Sequence, residues 1–130
     1  MSSESKGKKA HILAVEDDTF LAELLNGYLK KAGFDCDLAV DGPDGLQKAR
    51  EHKPDLILLD LLLPGMDGYH FLQEIKADKA LADVPVIILS NLGEEVQIKK
   101  GLELGAVDFM IKAHHTLDEV ADRVQKFLKM

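Results

Sequence analysis

Short apolar runs alternate with helically spaced stretches along this chain. The first run, Ile12-Leu13-Ala14-Val15, is continuous, the pattern of a strand covered on both faces. Phe20, Leu21, Leu24, Leu25, Tyr28 and Leu29 then recur at helical spacing. Lys30-Lys31 followed by Gly33 predicts where that helix stops. Phe34 to Val40 predicts a second strand, with Phe34, Cys36, Leu38 and Val40 on one face. Asp41-Gly42-Pro43 opens a short helix that runs to about Glu51. Leu56-Ile57-Leu58-Leu59 is a third buried strand, and Pro64 to Gly68 is dense loop chemistry. A helix follows over about Tyr69 to Lys76. Val86-Ile87-Ile88-Leu89 is a fourth strand, introduced by Pro85 at a tolerated position. Glu94 to Leu104 predicts a fourth helix, with Val96, Leu102 and Leu104 partly inward, and Gly105 stops it. Phe109-Met110-Ile111 is a short fifth strand. Leu117, Val120, Ala121, Val124, Phe127 and Leu128 mark the clearest helix of all.

Five strand–helix units with continuously apolar strands imply an α/β fold with a parallel sheet covered on both faces. In such sheets ligands bind outside the carboxyl ends of the strands, where strand order reverses. The polar residues just after each run therefore carry the functional information.

Composition narrows the class. The chain has 130 residues, enough for one domain, expected over residues 10–130. Residues 1–9, MSSESKGKK, read as a disordered tail or cloning remnant. With 16 basic and 23 acidic residues the net charge is −7, which argues against gripping nucleic acid directly. No apolar run approaches a membrane span, and no secretory leader is expected. One Cys excludes an internal disulfide and a cysteine-based zinc site, so a reducing cytoplasm is the expected setting.

Glu16, Asp17 and Asp18 follow the first run, and Asp60 follows the third. Ser90 and Asn91 follow the fourth, and Lys112 follows the fifth. A lone carboxylate at such a place is usually a cap or a solvated turn residue, and Asp18-Thr19 looks like capping material. Together they are different. Converging carboxylates repel unless a cation neutralises them, and their hard oxygens suit Mg²⁺. A carboxylate beside such an ion can attack phosphorus, and a lysine and a hydroxyl can stabilise the transferring group. The set reads as a metal-assisted aspartate phosphorylation site.

The motifs ILAVEDD, PDLILLDLLLPGMDG, VPVIILSN and GAVDFMIK, in this order and at matching spacing, resemble those of the receiver domains of bacterial two-component response regulators. The single-domain chemotaxis type is among them. The resemblance covers about residues 10–130. It implies a doubly wound, flavodoxin-like (βα)5 fold with sheet order 2-1-3-4-5. It also implies that Asp60 is the phosphoacceptor. Glu16, Asp17, Asp60 and the backbone carbonyl of Leu62 would hold Mg²⁺ (or Mn²⁺). Ser90 would be the switch hydroxyl, Lys112 the lysine that pairs with Asp60, and Phe109 the aromatic switch. The implied donor is a sensor histidine kinase or phosphotransfer protein. The output would be a downstream protein or a missing output domain, reached through the surface of the fourth helix, fifth strand and fifth helix. The expected state is a monomer or a phosphorylation-dependent dimer, with no membrane partner and no turnover as an enzyme.

Four positions depart from the family pattern. Ala113 stands where the family usually has Pro, so a trans peptide is expected after Lys112. Asn91 is larger than the usual small residue and is expected to narrow access. Leu62 and Leu92 replace side chains that often orient an attacking water, so a long-lived phosphorylated form is expected. Phe109 reads equally as core. His114-His115 read as solvated, His11, His52 and His70 as scattered, and Cys36 as a buried thiol. Asp41, Asp44 and Asp67 sit in turn contexts. The competing readings are a pseudo-receiver that is no longer phosphorylated and a small Mg²⁺-dependent phosphohydrolase.

Overall fold

The computed structural model describes residues 9–128. Residues 1–8 of the expected tail lie outside the described residues, and Lys9 is exposed and belongs to no regular element. The element order is β1 (His11–Val15), α1 (Thr19–Lys31), β2 (Asp35–Ala39), α2 (Gly42–Glu51), β3 (Leu56–Leu59), α3 (Gly68–Ala77), β4 (Val86–Ser90), α4 (Glu95–Glu103), β5 (Asp108–Ile111), a 3₁₀ turn (Lys112–His114) and α5 (Leu117–Leu128). All strand pairs are parallel, and the sheet order is β2-β1-β3-β4-β5.

The continuous apolar runs split between two cores because successive side chains point to opposite faces. Leu13, Val15, Ile57, Leu59, Val86 and Ile88 meet Leu46, Ala49, Phe71, Leu72 and Ile75 of α2 and α3. Ile12, Ala14, Leu56, Leu58, Ile87, Leu89 and Met110 meet Leu25 and Leu29 of α1 and Val120, Ala121 and Val124 of α5.

The helix ends follow local chemistry. Asp18, Asp41 and Asp67 are N-caps, accepting from the backbone N–H groups of Leu21, Asp44 and His70. These carboxylates are thereby committed to structure. Thr116 and Glu119 form a reciprocal cap at the start of α5. At the end of α1, Gly33 takes φ +100° while its N–H donates to the carbonyl of Lys30 and Phe34 donates to Leu29.

Some packing differs from the sequence pattern. On α1 only Ala22, Leu25 and Leu29 are buried, and Phe20, Leu24 and Tyr28 form an exposed ridge. The apolar stripe is wider than the strip the sheet covers. On β2, Cys36 and Leu38 are half-buried against the α1–α5 core, but Val40 falls beyond the strand and is exposed. Burial pushes the Cys36 thiol up to about 12. Val96 and Leu102 of α4 are exposed rather than inward, and only Leu104 packs on the core.

Phe71 is fully buried, and its ring lies so close to α2 that a methyl on Gly45 would stand 2.9 Å from it. Phe71→Ala is expected to destabilise the fold by about 3–5 kcal/mol, measured by urea denaturation.

Candidate functional site

The carboxyl ends of β1, β3 and β5 bring four charged groups to one point. Backbone pairing sets two of them: Glu16 N–H donates to Ala39 at 2.9 Å, and Asp60 N–H donates to Val15 at 3.0 Å. Glu16 and Asp60 are buried, at 3% and 5% exposure, while Asp17 is exposed. One carboxylate oxygen from each of these three residues lies within 4.8 Å of the others. Among the described residues this is the only such group able to hold a metal ion. Three hard oxygen donors with one exposed side suit an ion that keeps part of its water shell.

Lys112 bridges the two buried carboxylates. Its Nζ stands 2.6 Å from Glu16 Oε1 and 3.0 Å from Asp60 Oδ2. The remaining oxygens are also occupied: Asp18 N–H donates to Glu16 Oε2 at 3.1 Å, and Leu62 N–H donates to Asp60 Oδ1 at 3.1 Å. All peptide bonds among the described residues are trans. The trans bond before Ala113 thus leaves Lys112 in contact with Asp60.

Burial is the largest influence on Glu16, and it pushes the carboxyl above its ordinary value despite the Lys112 contact. Burial alone would lower Lys112, but hydrogen bonds and charge from Glu16 and Asp60 outweigh it, so the amine is pushed up and stays charged.

Two further expected site residues lie on the neighbouring strands β4 and β5. Ser90, the last residue of β4, is fully buried, and its Oγ accepts from Leu92 N–H at 3.3 Å. Phe109 is half-buried against the α2–α3 core. A methyl on Gly101 of α4 would lie 2.6 Å from Ile88 Cδ1 and 3.4 Å from the Phe109 ring. The glycine therefore gives α4 the notch in which these side chains sit. Leu62 is 55% exposed, Leu92 is half-buried on the core, and Asn91 is exposed.

The loop between β3 and α3 is fixed by a close approach. Gly68 N–H donates to Leu61 at 2.9 Å. A Cβ at Gly68 would stand 2.6 Å from Leu61 Cα and 2.7 Å from the Asp60 carbonyl oxygen. Only a residue without a side chain allows α3 to begin there.

The remaining histidines stay apart from the cluster. His114 is exposed, and His115 Nδ1 lies 3.6 Å from Glu119. Sequence spacing gave no hint that His11 and His52 line one surface cavity with Asp37 and Lys53. Equally hidden in the sequence is the hydrogen bond that the Tyr69 hydroxyl of α3 donates to the Gln97 backbone carbonyl of α4, because it joins residues on separate helices.

Residues 12–125 match the family described as Response regulator receiver domain. The chain is 40% identical over 113 residues to the DNA-binding response regulator MtrA of Mycobacterium tuberculosis, covering 87% of this chain and 48% of that protein. It is 37% identical over 118 residues to the DNA-binding dual master transcriptional regulator RpaA of Synechocystis, covering 91% and 48%. The chain thus spans about half the length of the curated relatives it matches. Among solved structures, it resembles a response regulator of Chloroflexus aurantiacus with a TM-score of 0.88 and 31% identity, covering 95% of this chain and 100% of that one. No helix among the described residues is long and apolar enough to cross a membrane.

Gly68→Ala is expected to cost about 1–3 kcal/mol in chemical denaturation, because backbone at Asp60 and Leu61 must shift. Glu16 yields a pH test with a definite sign. Its folded pKa lies above the unfolded one, so the folded state binds the extra proton. The stability it contributes is full in acid and is lost as pH rises above the ordinary value of 4.5. The melting temperature of the wild type minus that of Glu16→Gln is therefore expected to fall as pH rises through this window.

Proposed function

The chain belongs to the response regulator receiver domain family, and on that footing we propose that it accepts a phosphoryl group on Asp60 and relays the change through its surface. Response regulators are signalling proteins, and no turnover of free substrate is assigned. The observation that carries the reading is the convergence on Asp60: two further carboxylates within 4.8 Å, and Lys112 Nζ at 3.0 Å.

In the transfer, an Asp60 oxygen attacks phosphorus. The phosphorus–nitrogen bond of a donor phosphohistidine breaks, and the imidazole leaves with the bond electrons. Glu16, Asp17, Asp60 and the Leu62 carbonyl would hold Mg²⁺ or Mn²⁺, which supplies positive charge against the phosphoryl oxygens. Lys112 adds a fixed cation, and its contact with Asp60 orients the carboxylate. Leu62 offers no side-chain hydrogen bond to position a water, which favours slow hydrolysis of the acyl phosphate.

The switching half of the reading assigns Ser90 and Phe109. Ser90 is close enough in sequence to the β4–α4 turn to pull it when its hydroxyl engages the new phosphoryl oxygens. Phe109 lies in the Gly101 notch, so a shift of α4 and a repacking of that ring go together. The surface formed by α4, β5 and α5 would then bias partner binding. The donor would be a sensor histidine kinase or phosphotransfer protein, and the setting cytoplasmic. The DNA-binding activity in the relatives' names belongs to proteins about twice as long, and the acidic receiver itself is assigned no nucleic-acid contact.

Incubation with Mg²⁺ and acetyl phosphate, followed by intact mass, is expected to show one added phosphoryl group. The adduct should vanish in Asp60→Asn and without the divalent ion. An unmodified wild type would instead favour a pseudo-receiver.

A further inference from the structure

α4 is lightly held. Gly101 is its only buried residue, whereas each of the other helices buries three or more. Val96 and Leu102 face solvent at 74% and 44% exposure. Among the described residues, only one side-chain hydrogen bond joins α4 to another element, and it comes from Tyr69 of α3. The Tyr69 hydroxyl donates to the Gln97 backbone carbonyl at 3.0 Å. Lys100, a turn further along α4, places its ammonium 4.4 Å from the centre of the same ring. One side chain therefore holds two successive turns of α4.

The other end of this contact is anchored at the phosphorylation site. Tyr69 follows Gly68, whose backbone is pressed against Asp60 and Leu61 and bonded to the latter. The ring itself packs on the α2–α3 core. Burial, with a lesser influence from Asp67, pushes the phenol up, so the hydroxyl keeps the proton it donates at neutral pH.

We propose that Tyr69 is a positioning residue that clasps α4 to the acceptor loop and sets how readily α4 leaves this position. The clasp is a property of the unphosphorylated protein. Its consequence for signalling rests on the receiver reading given above: a helix that buries only Gly101 and is otherwise tied by one hydroxyl and one ring face is moved at small cost, and a change at the acceptor loop reaches it through two residues.

Tyr69→Phe keeps the ring and removes the donor. Without any phosphodonor, amide hydrogen exchange in α4 is expected to speed by about fivefold, the worth of a typical net hydrogen bond. Exchange in α1 and α5 should stay as in the wild type, which a general loss of stability would not allow. The initial rate of phosphorylation by acetyl phosphate should also be unchanged, since the hydroxyl touches neither Asp60 nor Lys112. Unchanged α4 exchange, or acceleration shared equally by α1 and α5, would overturn the proposal. So would slower phosphorylation of the variant, which would place Tyr69 at the chemistry instead. If neither protein accepts a phosphoryl group, the receiver reading fails while the exchange of α4 still decides the clasp.

Discussion

The Lys112 ammonium, set between two buried carboxylates, is the contact on which the site depends. Glu16 and Asp60 are taken out of water at the sheet edge, and Asp17 stands beside them. Without a cation their mutual repulsion would force protonation or open the crevice. Lys112 provides one positive charge against three negative ones, so the cluster retains a deficit of positive charge. Stability and function diverge here. A buried ion pair adds little net stability over an apolar replacement, yet removing one member costs about 3–5 kcal/mol. What the arrangement does fix is orientation: Lys112 Nζ and the Leu62 N–H each hold one oxygen of the Asp60 carboxylate.

Backbone geometry then determines what a change at Asp60 can move. Gly68 lets α3 begin against the backbone of Asp60 and Leu61, and Gly101 lets α4 settle onto Ile88 and the Phe109 ring. Both glycines act by absence, and a methyl group at either meets atoms closer than 3.0 Å. Around this rigid centre lies a helix with a single buried residue. The fold thus joins a tightly packed sheet, whose strands are covered on both faces, to one weakly attached element beside the site. A small perturbation at the sheet edge has an obvious outlet.

The sheet and the cluster could be read from the sequence because both follow from local pattern. Each buried strand is a continuous apolar run, and Glu16, Asp60, Ser90 and Lys112 stand at or just past the ends of such runs. The sheet order came from the family motifs, and the structure carries it. Helix packing was less legible. Phe20, Leu24 and Tyr28 share the helical spacing of the buried residues but form a ridge beyond the reach of the sheet. Val96 and Leu102 were expected to point inward, whereas the residue α4 buries is Gly101, which carries no hydrophobic signal. The Tyr69–Gln97 bond joins two helices through a backbone carbonyl, so no side-chain pattern could announce it.

The central claim is that Asp60, and neither neighbouring carboxylate, is the nucleophile. Borohydride reduces an acyl phosphate to the corresponding alcohol and leaves free carboxylates untouched. Protein treated with acetyl phosphate and Mg²⁺, then reduced and digested, should yield a peptide in which Asp60 alone has become homoserine. Homoserine at Asp17, the corresponding alcohol at Glu16, or no reduced residue in the peptides spanning these positions would contradict the account.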